Sequence, residues 1–151
     1  TERIHMSIFP TTNAKSNGAN FPEQNRECGQ FTGYIKAIRP IKSNSNSTVF
    51  AVIELEVPGK PGVFQDYLNF NENKATESMG YLVSHCKSAI LSTGNTINNP
   101  DEEKDMTWVE QSYDKLMKSK ANLTFQQSSN SRGQLNINYV SPNEVPASQG
   151  F

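Results

Sequence analysis

TVFAVIELEVPGKPGVFQDYLNF, residues 48–70, reads as a β-hairpin. From Thr48 to Val57 the side chains alternate. Val49, Ala51, Ile53, Leu55 and Val57 share one face, and Phe50, Val52, Glu54 and Glu56 share the other, which is the two-residue period of a strand. Pro58-Gly59-Lys60-Pro61-Gly62 then breaks the pattern, because proline presets a turn and glycine tolerates positive φ. Val63 to Phe70 returns as the partner strand.

Upstream, Gln30 to Ile41 carries Phe31, Tyr34, Ile35 and Ile38, all good strand residues. Gly33 interrupts this run, and a glycine inside a strand marks a bulge or bend. Pro40 ends it, and Lys42 to Ser47 is a loop by composition. Downstream, Met79, Leu82, Val83, Cys86 and Ile90 fall on one helical face, with Asn73 as the expected N-cap and Gly94 as the stop. Asn95 to Asp105 is a loop holding the acidic run Asp101-Glu102-Glu103. Val109, Tyr113 and Leu116 predict a short second helix ending near Ser119. Ala121 to Gln127 and Gln134 to Val140 are the last two strands, joined by a flexible loop over Ser128 to Gly133.

Strands and helices in this order predict a β-rich protein, all-β in its sheet. The expected architecture is a five-stranded OB-fold barrel with a helix between the third and fourth strands. Gly33 suits it, because the first strand of such a barrel bends to serve both halves of the sheet. The generic alternative is an α+β sheet with one packed helix. The expected layout is a cloning remnant over 1–5 with Met6 as the start, an N-terminal arm over 6–27, and the barrel over 28–141. An acidic loop insertion covers 95–107, and a flexible tail covers 142–151.

Composition sets limits on function. The chain has 151 residues, of which 34% are hydrophobic and 19% charged, so its core must come from a minority of positions. A net charge of −1 excludes a globally basic binder but leaves room for a local basic groove. No apolar run approaches the ~18 residues of a membrane span, and the leading residues lack the apolar core of a signal peptide. Cys28 and Cys86 are read as free thiols in a reducing cytosol, with a single disulfide as the alternative.

The sequence offers little catalytic chemistry. His85 adjoins Cys86, but neighbours one position apart on a helix do not face each other. A buried cysteine flanked by a polar histidine is the plainer reading. Asp101, Glu102, Glu103 and Asp105 form a solvated acidic loop rather than a calcium loop, which spaces its ligands around a turn glycine. No zinc, phosphate-loop or hydrolase motif is present. No catalytic role, metal or other cofactor is therefore expected.

Aromatic and basic residues on strands remain. Tyr34, Lys36 and Arg39 lie on the first strand and Lys42 in the following loop. Phe50 is on the second strand, Lys60 in the hairpin turn, and Phe64 and Tyr67 on the third strand. Lys120 and Arg132 lie in a basic stretch with no acid between Lys115 and Arg132. This is the chemistry that single-stranded nucleic acid requires. Rings stack on separated bases for ~1–3 kcal/mol each, and cations meet the phosphates. For each ring alone the competing assignment is ordinary strand packing, and for each lysine a solvated face. The combination carries the expectation.

The chain resembles the small phage-encoded single-stranded DNA-binding proteins of phages that infect Gram-positive bacteria. The resemblance spans about Gly29 to Ser141. It lies in GQFTGYIKAI, STVFAVIELEVPG, VFQDYLNFNENK, the helix ending in CKSAILSTG, and KSKANLTFQQ with RGQLNINYV. It implies an OB-fold that binds single-stranded DNA without sequence preference and serves phage replication and recombination in the bacterial host cytoplasm. Recombinase or replication proteins would be its partners, and self-association into a homo-oligomer would extend its footprint. Tyr34, Lys36, Phe50 and Tyr67 would sit on the binding face. Arg39, Lys42, Lys60 and Arg132 would lie in loops or strand ends around it. The tail SPNEVPASQGF departs from the acidic tip with which cellular proteins of this class recruit partners, since its one acid is Glu144. The rival expectation is a non-catalytic β-barrel that binds a protein of a phage replication or virion assembly complex. A small enzyme ranks last.

Overall fold

Gly33 is where one strand has to serve two partners. Strand β1 (Gly29–Pro40) pairs through Gly29–Gly33 with β4 (Leu123–Ser129), and from Tyr34 onward with β2 (Val49–Glu56). A Cβ on Gly33 would lie 2.2 Å from the carbonyl oxygen of Glu56, so the close approach of β1 to β2 needs a residue without a side chain. Strand β3 (Phe64–Asn69) adds beside β2, and β5 (Leu135–Tyr139) beside β4. The result is an antiparallel five-stranded sheet in the order β3-β2-β1-β4-β5. These features come from a computed structural model that describes residues 23–41 and 49–141. Lys42, arm residues 6–22, the expected remnant over 1–5 and the tail over 142–151 lie outside the described residues.

Two helices fill the connection between β3 and β4. Asn71 accepts from the Asn73 amide at 2.9 Å and so caps a short 3-10 turn over Glu72–Lys74, two positions before the cap expected from the sequence. Helix α1 (Ala75–Ser92) follows and buries Leu82, Cys86 and Ala89 along one stripe. Helix α2 (Met106–Ser119) starts where Asp105 accepts from the Trp108 amide at 2.9 Å, which satisfies one of its open N–H groups. Its Val109, Tyr113 and Leu116 face the core as the helical spacing predicts. It ends on Lys120, which adopts the left-handed conformation at φ 53.

The core is one cluster. Ile35 and Ile38 of β1 meet Ala51, Ile53 and Leu55 of β2, with the α1 and α2 stripes laid against them. Phe64 and Phe125 stack edge-on with ring centres 5.3 Å apart, and Phe31 closes on Phe64 at 4.8 Å. The fully buried Phe64 and Phe125 each contribute about 1.5–3 kcal/mol of transfer free energy, and Phe31 is partly buried against them. No helix among the described residues is long and apolar enough to cross a membrane.

The expected closed barrel is not what forms. The protein is β-rich with two substantial helices, and its sheet is open. β3 and β5 stand at its two ends, and side chains join them in place of a backbone ladder. The Tyr139 hydroxyl donates to Asp66 Oδ2 at 2.7 Å, and His85 of α1 meets the same oxygen at 2.8 Å. These bonds link the two end strands beside a cleft.

The end of the expected arm, residues 23–27, lies against the sheet. Gln24 bridges to Val63, and the Asn25 and Val63 amides bond across at 2.7 and 2.9 Å to Val63 and Glu23. Gln127 holds the same segment by donating to the Asn25 and Glu27 carbonyls, each at 2.9 Å.

Candidate nucleic-acid interface

The register of β1, β2 and β3 sets which side chains share the face turned away from the core. Arg39, Val52 and Tyr67 form one cross-strand row, and Ala37, Glu54 and Gln65 the next. Tyr34 lies opposite Glu56. Lys36 falls at a bulge, between the paired Ile35 and Ala37, and the extra residue leaves its side chain exposed.

Diagonal contacts tie the rows together. Arg39 Nε donates to Glu54 Oε2 at 2.6 Å. Glu54 is buried, and its other oxygen has no hydrogen-bond partner among the described residues. The Arg39 charge therefore offsets the cost of a desolvated carboxylate on this face. The Tyr67 hydroxyl donates to Gln65 Oε1 at 2.8 Å, and the ring stays 48% exposed. The Tyr34 hydroxyl donates to Glu56 Oε1 at 3.1 Å. That bond, chiefly, raises its pKa, so Tyr34 stays a neutral donor at physiological pH. The Lys120 ammonium lies over the Tyr34 ring, 5.4 Å from its centre. This contact crosses from the end of α2 to β1.

The backbone at Lys120 is unusual for a lysine. A left-handed residue costs roughly 1–2 kcal/mol unless it is glycine. Helices commonly end on glycine in this conformation. Lysine stands here instead, with its charge on the same ring.

The site residues expected from the sequence therefore divide. Tyr34, Lys36, Arg39, Tyr67 and Lys120 gather on or beside the outer face. Phe64 is a correction: it is wholly buried, because its side chain points from β3 into the core, opposite to Tyr67. Phe50 is a second. The bulge between Val49 and Ala51 takes it out of simple alternation, and it is half-buried against the core. Lys60 belongs elsewhere. It pairs with Glu27 at 3.0 Å and sits over the Phe31 ring at 5.5 Å, by the N-terminal segment. Arg132 is exposed in the β4–β5 turn near the same segment, where Arg26 donates to the Gly133 carbonyl at 2.9 Å.

The sequence reading missed the Asp66–His85–Tyr139 cluster at the seam between the end strands. Burial disfavours the charged form of His85. The Asp66 carboxylate, by charge and hydrogen bond, outweighs that and raises the pKa above 6.5. Tyr139 is held well above 10.0 by burial and by Asp66. Cys86 points the other way, into the core, and burial pushes its thiol up to about 12. It is a protonated packing group with no geometry for a dyad with His85.

The chain matches no family model, no curated protein and no solved structure.

Proposed function

We propose that the protein binds single-stranded DNA without sequence preference, along the outer face of β1, β2 and β3. The observation that carries this reading is convergence. Rings and cations far apart in sequence, Tyr34, Lys36 and Arg39 with Tyr67 and Lys120, meet on one surface. Bases stack on the tyrosines, and phosphates run past Lys36 and Lys120. Glu54 and Glu56 share this surface, so the field is modest and the affinity depends on stacking as much as on charge. The bend at Gly33 and the strand order support reading the fold as an OB-fold open between its third and fifth strands, since such barrels are often only partly closed. The role is non-catalytic, and the inert environment of Cys86 supports that. The sequence resemblance supports a phage protein that coats DNA during replication or recombination in the host cytoplasm. Self-association would extend its short footprint.

The test is fluorescence anisotropy of a labelled oligo-dT with duplex DNA as competitor. Binding should weaken with salt and resist the duplex. Tyr67→Ala should cost ~1–3 kcal/mol of affinity. An absence of binding at low salt would end this reading in favour of a protein-interaction module.

A further inference from the structure

The seam between β3 and β5 opens into a cleft of about 680 Å³, within the size range of small-molecule sites. Three features restrict what it can hold. Tyr67 and Tyr81 both line it, and they are the most exposed large rings among the described residues, at 48% and 79%. Such rings without packing partners suit a flat ligand. Its polar lining is mostly neutral amide, including Asn69, Gln134, Asn136 and Asn138, which offer both donors and acceptors. No Lys or Arg among the described residues lines it, and its one charged pair, Asp66 with His85, is already closed on itself. The cleft is therefore matched to an uncharged, flat group with a hydrogen-bonding edge, and it is poorly matched to phosphate. Tyr67 also stands on the outer face, in the row of Arg39. A strand lying on that face reaches the cleft at Tyr67.

We propose that the β3–β5 cleft is a nucleobase subsite, where one splayed base of the bound strand packs against Tyr67 and Tyr81. Its edge is met by Asn69, Asn136 and the free ring nitrogen of His85. Splayed bases held between rings and read at their edges are how unpaired nucleotides are taken up elsewhere. This inference rests on the single-strand reading above and divides its labour: cations on the face take the backbone, and the cleft takes a base.

The experiment compares two labelled strands of equal length, oligo-dT and an abasic oligomer, on the full chain. The wild type should prefer the strand with bases. Tyr81→Ser and Asn136→Leu alter exposed positions and should preserve folding. Each should cut the preference for bases about tenfold while the abasic affinity stays unchanged. In addition, the His85 imidazole resonances of the wild type should move on adding oligo-dT and stay fixed with the abasic strand. Binding of both strands with the preference intact in the two variants would overturn the subsite and leave strand binding standing. If neither strand binds the wild type, both readings fall.

Discussion

Replacing Gly33 with alanine probes the bend on which the outer face depends. The added Cβ would lie 2.2 Å from the Glu56 carbonyl oxygen, 2.9 Å from its carbon and 3.0 Å from Val57 Cγ2. Ordinary carbon–oxygen contacts begin near ~3.3 Å, so β1 and β2 must part by about 1 Å. Overpacking of this kind costs ~1–3 kcal/mol. Loosening the ladder at the Tyr34–Glu56 pair adds ~0.5–1.5 kcal/mol for a backbone hydrogen bond. Gly33→Ala should therefore destabilise by about 2–4 kcal/mol, a large part of a typical domain's ~5–15 kcal/mol. Gly80→Ala is the internal control. Nothing lies within 4 Å of its Cβ position in α1, and alanine there should stabilise by up to about 1 kcal/mol. Urea unfolding followed by circular dichroism measures both. With a slope of ~1–3 kcal/mol per molar, Gly33→Ala should move the midpoint down by roughly a molar or more. A Gly33→Ala midpoint equal to the wild type would refute the claim that the strands are pinned together there.

Lys120→Gly should fold at least as stably as the wild type, because glycine enters the left-handed cap without strain, yet bind oligo-dT more weakly. Equal binding in an anisotropy titration would show that the contact with Tyr34 is incidental. Arg39→Ala should destabilise by about 3–5 kcal/mol by stranding the buried Glu54 carboxylate, and adding Glu54→Leu should recover most of the loss. Thermal or urea melts of the single and double variants decide this, and a single-variant cost under ~0.5 kcal/mol contradicts it. His85 has a raised pKa in the folded state, so its protonated ring contributes stability that is complete below pH 6.5 and is lost as pH rises through the folded value. The stability gap between wild type and His85→Gln should shrink across that window, and a pH-independent gap would show that Asp66 does not hold the proton.

The sequence exposed those parts of the fold that local chemistry dictates. The hairpin of β2 and β3 was legible because alternation and a proline–glycine turn agree. The α1 stripe was legible because Leu82 and Cys86 repeat at helical spacing. Gly33 was legible as a bend because a glycine interrupts a strand pattern, and it lies where β1 passes from β4 to β2. Side-chain direction was read less well. Phe64 and Tyr67 stand an odd number of positions apart on one strand, so they must face opposite ways, and that parity alone could have removed Phe64 from the binding face. Phe50 could not be placed by parity, because a bulge at its own position breaks the count. The seam was invisible for a different reason. Asp66 meets a histidine 19 positions away and a tyrosine 73 positions away, and only the folded arrangement of β3, α1 and β5 unites them. Asp66, placed between Phe64 and Leu68 on the inward face of β3, was the cluster's only local sign.

If the outer face binds a single strand as proposed, charge and stacking contribute separably, and salt separates them. Each phosphate contact on a single strand contributes about 0.7 to the slope of log affinity against log salt. The decisive measurement is that slope for oligo-dT, taken for the wild type and for Lys36→Ala/Lys120→Ala. The account predicts binding at low salt and a slope shallower by about 1.4 in the double variant. Identical slopes, or a wild type that fails to bind at low salt, would contradict it.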